Sequence, residues 1–406
     1  MLYRLSSAVL FCTALNSAAD WNQFRGPARD GISHETVPTT WPSQLKKVWT
    51  VDAGEGYASP IVSSGGVFVH ARRGSEETVT RFDLTSGKVV WTKTYSAPFG
   101  KNQYALKMQA GPFSTPTEAN GRLYTLGVTA ILTCWDSKNG ALIWRKDFSA
   151  HQDTSKLFVG TAMSPLVDGS QVIVHVGDDR GGTIHSYDTL TGVEKWTTKG
   201  DGPGYASPVI ATFSGVRQFV TMTDRNLVGV SIADGKVLWA HPFKDEWIEN
   251  IITPIVYKDA VVFTGVRNGS LALRPRKSAS GWSAETVWAD KDLQFYMSTP
   301  IADGDYLYGL SSRKKGQWVC ADLRTGKVLW STEGREAKQA TVIGAGSNLL
   351  LFTDEGALIV ARKSPKGFEQ VRRYALSDSA LYAHPVFLGK QLLVKDATAL
   401  TLWQIE

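Results

Sequence analysis

The side chains best suited to binding a ligand fall into an aromatic group and a charged group. The aromatic group stands three or four residues before prolines that open short apolar runs, and it comprises Tyr57, Tyr205, Tyr296 and Tyr382. The charged group follows the second apolar run of several repeats, and it comprises Arg72, Arg73, Asp178, Asp179, Arg180, Arg225, Arg267, Arg313 and Lys315. Aromatic rings beside mostly basic side chains suit an anionic small molecule or an acidic protein segment.

No arrangement typical of catalysis accompanies these residues. The seven histidines, at positions 34, 70, 151, 175, 185, 241 and 384, show no metal-ligand spacing. No glycine-rich loop follows a strand and opens a helix, so nucleotide chemistry has no support. We therefore predict no metal, no cofactor and no catalytic residue. The alternative interpretation of the binding residues is structural, with tyrosines closing the repeat entrances and arginines in ordinary solvated turns.

A repeat positions these side chains. Asp, Gly four residues later and Trp eight residues later recur in Asp83/Gly87/Trp91, Asp136/Gly140/Trp144, Asp188/Gly192/Trp196 and Asp322/Gly326/Trp330, and with Ser first in Ser231/Gly235/Trp239. The Gly supplies the positive φ of a tight hairpin, and the Asp accepts a backbone N–H that closes the turn. A buried Trp removes about 150–250 Å² from water. We predict that tryptophans dock each repeat on the next, at Trp49, Trp91, Trp144, Trp196, Trp239, Trp288 and Trp330.

A second motif marks where each repeat begins. A proline opens seven repeats, at Pro60, Pro116, Pro165, Pro208, Pro254, Pro300 and Pro385, and Ala340-Thr341-Val342 is a weaker eighth. Four strands, A to D, follow each start except the last, where the fourth strand is supplied by Lys46 to Val51. The sequence thus predicts an all-β fold, an eight-bladed β-propeller of four-stranded antiparallel blades closed 3+1 by an N-terminal strand. An open solenoid is the alternative, but it would not need that strand.

The chain divides into three parts. Residues 1–19 carry one early Arg, an apolar run and a Ser-Ala-Ala end, which indicate a signal peptide cleaved near Ala19. Residues 20–44 are an irregular lead-in, and residues 45–406 form the propeller. Cys12 follows the bulky Phe11, which is a poor match to a lipidation site. No later run is long enough for a membrane span, so we expect a periplasmic or secreted monomer.

The net charge gives no indication of nucleic-acid binding, and the cysteine positions give none of a disulfide. The formal net charge of +6 is small for 406 residues, and no block of like charges indicates nucleic-acid binding. After signal cleavage Cys134 and Cys320 remain, in repeats four apart. On opposite sides of a closed ring they would lie too far apart for a disulfide, so we expect two core thiols.

The Asp–Gly–Trp motif resembles the docking repeat of pyrroloquinoline-quinone-type propellers. That family includes quinoprotein alcohol dehydrogenases and the propeller lipoprotein of the outer-membrane β-barrel assembly machinery. For the dehydrogenases, the resemblance implies adjacent cysteines beneath a quinone, a Ca²⁺ site and a catalytic Asp. Here no two cysteines are adjacent and no Asp aligns with those roles. The segment from Trp21 to Pro27 is also similar to the opening of a widespread secreted group.

Two functions follow from these observations. The first is an exported, non-enzymatic scaffold that binds a protein or a small anionic ligand at the face carrying the strand A entrances and the B–C turns. The alternative is a quinone-dependent oxidoreductase acting on alcohols or sugars, with pyrroloquinoline quinone and Ca²⁺ over the channel.

Overall fold

A computed structural model describes residues 20–153 and 156–405 of the chain, and the predicted signal peptide lies outside the described residues. Eight antiparallel sheets form an eight-bladed β-propeller. The loops that enter each strand A share one face with the B–C turns, which we call the entrance face. The A–B and C–D turns share the opposite face, which we call the turn face.

Blades 1 to 4 each contain four strands in the order A, B, C, D. Their bounds are Ile61–Ser63, Gly66–Arg73, Glu76–Asp83 and Val89–Ser96 in blade 1; Thr117–Ala119, Arg122–Leu126, Ile131–Asp136 and Leu142–Asp147 in blade 2; Leu166–Asp168, Gln171–Asp178, Gly181–Asp188 and Glu194–Gly200 in blade 3; and Val209–Phe213, Val216–Met222, Asn226–Ser231 and Val237–Pro242 in blade 4. Short 3-10 turns lie in the connections, at Gln103–Ala105 and Ser149–His151.

Blades 5 to 8 follow the same order with two additions. Their bounds are Ile255–Tyr257, Ala260–Gly265, Gly269–Ser278 and Gly281–Asp290 in blade 5; Ile301–Asp303, Tyr306–Ser311, Gln317–Asp322 and Val328–Ser331 in blade 6; Ala340–Ala345, Asn348–Thr353, Ala357–Arg362 and Gln370–Ala375 in blade 7; and Val386–Phe387, Gln391–Lys395 and Ala399–Gln404 in blade 8. The N-terminal strand Lys46–Asp52 pairs antiparallel with Ala399–Gln404 and is strand D of blade 8. Blade 7 gains a fifth, parallel strand, Ile32–Ser33, and a 3-10 turn lies at Arg313–Lys315 in blade 6.

Burial follows the position of each strand. Strands B and C lie between neighbouring blades, so their side chains are buried on both faces, as in Asn348–Thr353. Strand D lies outermost and alternates buried and exposed residues, as in Val89–Ser96. The hydrophobic core is therefore a set of layers between blades. No helix among the described residues is long and apolar enough to cross a membrane.

The tryptophans on the D strands connect one blade to the next. Six indole N–H groups donate to a carbonyl oxygen at the C–D turn of the following blade: Trp49 to Leu84, Trp91 to Ser137, Trp144 to Thr189, Trp196 to Ile232, Trp288 to Leu323 and Trp330 to Ser364. Trp239 differs, because its indole donates to Gln218 of its own blade at 2.7 Å. Blade 5 has no Asp–Gly turn to receive it, since its hairpin extends as two ten-residue strands, Gly269–Ser278 and Gly281–Asp290.

The lead-in is part of the ring. Trp21 exchanges backbone hydrogen bonds with Val62 on strand A of blade 1. The chain then crosses the central channel and pairs Ile32–Ser33 with blade 7 before it reaches Trp41, whose ring lies 6.5 Å from that of Tyr374. Arg29, between these two contacts, bonds to Pro165 of blade 3, which lies opposite blade 7 in a ring of eight. Residues 20–44 therefore span the channel and fill its centre.

Candidate functional site

A cavity of about 680 Å³ opens at the centre of the entrance face, and every blade contributes to its lining. Its walls are mainly aromatic, formed by Phe24, Tyr57, Tyr104, Phe113, Phe158, Tyr205, Trp247, Tyr296 and Tyr382. The structure thus brings the four tyrosines of the predicted aromatic group into one cavity. Cavities of this size with apolar walls and a few polar groups are typical of binding sites.

Hydrogen bonds to the long entrance loops fix the tyrosine rings. The Tyr57 hydroxyl accepts the backbone N–H of Gln109 at 3.2 Å, and the Tyr205 hydroxyl accepts that of Phe158 at 2.7 Å. Burial raises the pKa of Tyr205 to about 12, so this hydroxyl stays protonated at neutral pH. Because both hydroxyl oxygens accept from the main chain, their protons remain available to a ligand.

Exposed aromatic side chains surround the mouth. Tyr104 is 70% exposed, Trp247 63% and Tyr382 41%, and all three line this cavity. Across residues 20–153 and 156–405, these are the aromatic side chains more than 40% exposed. The other strongly exposed apolar residues are aliphatic, such as Val89 on strand D of blade 1. Exposed aromatic area is therefore concentrated at one place on the surface.

A belt of hydroxyl groups lies below the aromatic walls. We call it the hydroxyl belt, and it is formed by Ser59, Thr115, Ser164, Ser207, Thr253, Thr299 and Thr341, one from each of blades 1 to 7. The hydroxyl oxygens accept backbone N–H groups across blade boundaries, as in Ser59 N–H to Thr115 at 3.0 Å and Ser164 N–H to Ser207 at 3.0 Å. A Ser or Thr directly before the proline that opens a repeat is the sequence signal for the belt in blades 1 to 6.

Two arginines of the lead-in close the channel beneath the belt. Arg25 is 2% exposed and donates to the carbonyl oxygens of Thr299 and Pro300, at 2.9 and 2.8 Å. Arg29 is 4% exposed and donates to the carbonyl oxygen of Pro208 at 3.0 Å and also to that of Pro165. Burial lowers the pKa of Arg25 to about 10 and that of Arg29 to about 9, so both are cationic at neutral pH. No local sequence signal predicts either contact, because the carbonyl oxygens belong to residues far along the chain.

His384 takes the eighth position of the belt. Its ring stacks on Trp21, with ring centroids 6.0 Å apart, and meets Phe24 edge-on at 5.9 Å. Its Nδ1 lies 3.0 Å from the carbonyl oxygen of Pro385. Burial, with a smaller contribution from the charge of Arg25, lowers the pKa of His384 to about 3. The imidazole is therefore neutral at neutral pH, and its Nδ1–H donates to Pro385.

The predicted charged residues lie outside the cavity lining, and most have acidic partners. The ion pairs are Arg73 with Asp52, Arg180 with Asp178, Arg225 with Asp224, Arg267 with Asp245 and Glu249, and Arg313 with Asp292. The hydrogen bond from Arg180 lowers the pKa of Asp178 to about 2. Asp179 accepts a hydrogen bond from Arg225 at its carbonyl oxygen, and Lys315 stands in the B–C turn of blade 6. These pairs largely neutralise the basic side chains of the predicted charged group.

Arg72 corrects one expectation. The sequence predicted an exposed turn, but Arg72 is buried and its guanidinium donates to Glu77 at 3.4 Å and to the carbonyl oxygen of Ala97 at 2.9 Å. Strand B of blade 1 continues to Arg73, and alternate side chains of a strand point to opposite faces. Arg72 therefore points inward and Arg73 outward.

The lining does not match the groups that the quinoprotein resemblance implies. Cys134 and Cys320 are buried free thiols in blades 2 and 6. Within the described part of the chain, no group of three or more His, Cys, Asp or Glu side chains could hold a metal ion. Glu249 is the carboxylate in the lining, and it already accepts hydrogen bonds from Tyr296 and Arg267. The residues present thus do not fit quinone with Ca²⁺.

Comparisons with known proteins agree with this architecture. A model of the protein family described as "Outer membrane protein assembly factor BamB" matches residues 75–332. A curated protein of that name from Shewanella oneidensis is 25% identical over 317 residues, which cover 76% of this chain and 66% of that protein.

Two solved structures share the fold. The BamB structure from Moraxella catarrhalis has a TM-score of 0.62 at 16% identity, covering 89% of this chain and 98% of that one. A europium-containing methanol dehydrogenase has a TM-score of 0.71 at 12% identity, covering 96% of this chain and 99% of that one. At such identities the likeness shows the propeller and not an activity.

Proposed function

The chain belongs to the family of outer membrane protein assembly factor BamB, and on that premise we propose that it is an exported, non-enzymatic scaffold that binds other proteins during outer-membrane protein assembly. The observation that carries this proposal is the cluster of Tyr104, Trp247 and Tyr382 around one cavity mouth. Large aromatic side chains dominate the binding energy of protein interfaces, and they are costly to expose without a partner.

The entrance face suits a protein better than a free anion. The arginines predicted to attract an anion carry acidic partners, as Arg267 does with Asp245 and Glu249. Alternating charges around an aromatic centre resemble a polar rim around an apolar interface core. The rim charges then steer the partner and fix its orientation, while the aromatic centre supplies affinity.

Quinone-dependent oxidation has no support in the cavity lining, because the groups that would hold the cofactor and metal do not fit. Addition of pyrroloquinoline quinone and Ca²⁺ to the purified protein should therefore leave the absorption spectrum of the quinone unchanged. A shifted spectrum together with dye-linked oxidation of an alcohol or sugar would overturn the scaffold assignment.

Co-purification from the host tests the scaffold. The protein, tagged in its own host, should co-purify with components of the outer-membrane assembly machinery. Joint substitution of Tyr104→Ser, Trp247→Ser and Tyr382→Ser should abolish that association without unfolding the ring, since these side chains are exposed. A control triple, Val89→Ser, Leu142→Ser and Leu190→Ser, removes exposed apolar groups elsewhere and should retain the partners. Equal recovery of partner proteins with the two triple variants would contradict the proposal.

A further inference from the structure

Arg25 lines the floor of the cavity, and Arg29 lies beneath it, outside the lining. The protein does not neutralise either positive charge directly. Arg29 bonds only to neutral groups among the described residues, namely Gln23, Thr117, Ser164, Pro165 and Pro208. Arg25 bonds to carbonyl oxygens, and Asp30 is the acidic group close enough to affect its pKa. Charges in a buried, low-dielectric setting are screened far less than surface charges. The floor therefore attracts an anion.

The hydroxyl belt above these cations is rich in donors. Ser59 accepts the N–H of His384 at 2.7 Å, and Ser164 accepts that of Thr115 at 3.1 Å. Thr115 and Ser207 accept in the same way. Within the described part of the chain none of these four hydroxyls donates to another group, so their protons are uncommitted. A ligand that reaches the belt is matched best if it presents oxygen acceptors.

The channel ends at the lead-in, which restricts how a protein can enter. Residues 20–44 cross the centre and pair with blades 1 and 7, so an extended chain cannot thread through the ring. A chain end, in contrast, can reach the floor. Of the two chain ends, only the carboxyl terminus is an anion that accepts hydrogen bonds. An α-ammonium group at the same place would be repelled by Arg25 and Arg29 and would meet hydroxyl donors. The walls, with Phe24, Tyr57 and Phe113, suit an aromatic last residue.

Resting on the proposed function, we infer that the cavity binds the carboxyl-terminal residue of a partner protein, with the carboxylate at the hydroxyl belt above Arg25 and Arg29 and an aromatic side chain against the walls. Capture of a terminal carboxylate by convergent donors is a known mode of peptide recognition. Hydrogen bonds to an ionised acceptor are about twice as strong as neutral ones. The terminal residue then supplies both affinity and orientation.

Labelled peptides test the inference by fluorescence anisotropy. A fluorescein-labelled Gly/Ser decapeptide ending in phenylalanine with a free carboxylate should bind. The same peptide with a carboxamide end should bind at least tenfold more weakly, as should the free acid ending in glycine. Thr299→Val removes one hydroxyl of the belt at nearly constant volume, and Trp247→Ala removes an exposed aromatic side chain of the rim. Each variant should bind the free-acid peptide at least fivefold more weakly than wild type. Leu190→Ala, at a C–D turn on the other face, should bind like wild type.

Several results would overturn this inference. One is equal affinity for acid and amide, and another is no binding of the free acid at 1 mM. A third is unchanged binding by Thr299→Val and Trp247→Ala. N-acetylphenylalanine that competes as strongly as the peptide would show a site for small aromatic acids instead. If the peptide does not bind but recovery of the partner still depends on the rim aromatics, the chain-end inference is rejected and the scaffold stands. If the peptide binds but recovery of the partner does not depend on those aromatics, the scaffold alone is rejected.

Discussion

Arg29 donates from its guanidinium to the carbonyl oxygen of Pro208, 179 residues later in the chain, at 3.0 Å. This bond connects the lead-in to the start of blade 4, at the residue before strand A, and Arg29 also bonds to Pro165 at the start of blade 3. Strand A is the innermost strand of a blade and lines the channel. Carbonyl oxygens that point into the channel therefore have no neighbouring strand whose N–H groups they could accept. The guanidinium supplies donors to them and closes the channel at the same time.

Arg29→Met should destabilise the ring, because the carbonyl oxygen of Pro208 would stay buried without a donor, while that of Pro165 would keep only its hydrogen bond from Thr117. An unsatisfied buried group costs about 1–3 kcal/mol, partly offset by the burial cost of the charge that is removed. We expect a loss of about 1–3 kcal/mol in the free energy of unfolding, measured by denaturant titration. Arg276→Met, at an exposed position of the blade 5 hairpin, should be neutral. Equal midpoints for the two variants would contradict the channel-closing role.

Substitutions at two glycines of blade 1 distinguish the effect of tryptophan docking on stability from the effect of turn geometry. Gly65 and Gly87 both have positive φ, at 71° and 68°. A Cβ at Gly65 would meet open space, whereas one at Gly87 would lie 2.8 Å from the ring of Trp49. Gly65→Ala should cost about 1–2 kcal/mol from the backbone alone, and Gly87→Ala about 1–3 kcal/mol more from overpacking. Equal losses in calorimetry would mean that Trp49 does not hold the N-terminal strand against blade 1.

Acid should destabilise the protein through His384. The unfolded histidine takes up a proton near pH 6.5, but the folded one does so only near pH 3. Between these values the unfolded state binds more protons, so stability falls as the pH falls, by about 1.4 kcal/mol per pH unit from this group. His175, whose pKa burial lowers to about 4, acts in the same direction.

His384→Phe isolates the contribution of that group. The difference in unfolding free energy between wild type and variant should shrink from pH 6 to pH 4, because the variant no longer carries the titrating ring. His34→Gln, at an exposed position, should keep the wild-type profile. Parallel curves for His384→Phe and wild type across this range would show that His384 does not resist protonation.

The sequence predicts the ring well because its signals are local. The spacing of Asp83, Gly87 and Trp91 lies within one hairpin. The count of eight blades follows from the repeat starts, seven of which carry a proline. The aromatic cavity follows too, since the four tyrosines stand three or four residues before the proline that opens a repeat. Trp239 departs from the pattern because the blade 5 hairpin lacks the glycine turn that would receive it.

The partners of some arginines were harder to predict, because they lie outside the turn or segment that carries the arginine. Arg267 pairs with Asp245, which belongs to the loop entering its blade, and Arg29 reaches carbonyl oxygens far along the chain. No local spacing encodes such contacts. Arg72 was predictable in principle, because strand alternation places it inward once Arg73 is read as the last residue of the strand.

Site-specific photocrosslinking tests the central claim, that the entrance face binds a partner protein, most directly. A photoreactive amino acid would replace Trp247 at the cavity mouth or Leu190 on the turn face, and the host would be irradiated. We expect a discrete adduct from position 247 with a component of the outer-membrane assembly machinery, identified by mass spectrometry, and none from position 190. Adducts from position 190 alone, or none from position 247, would contradict the assignment of this face.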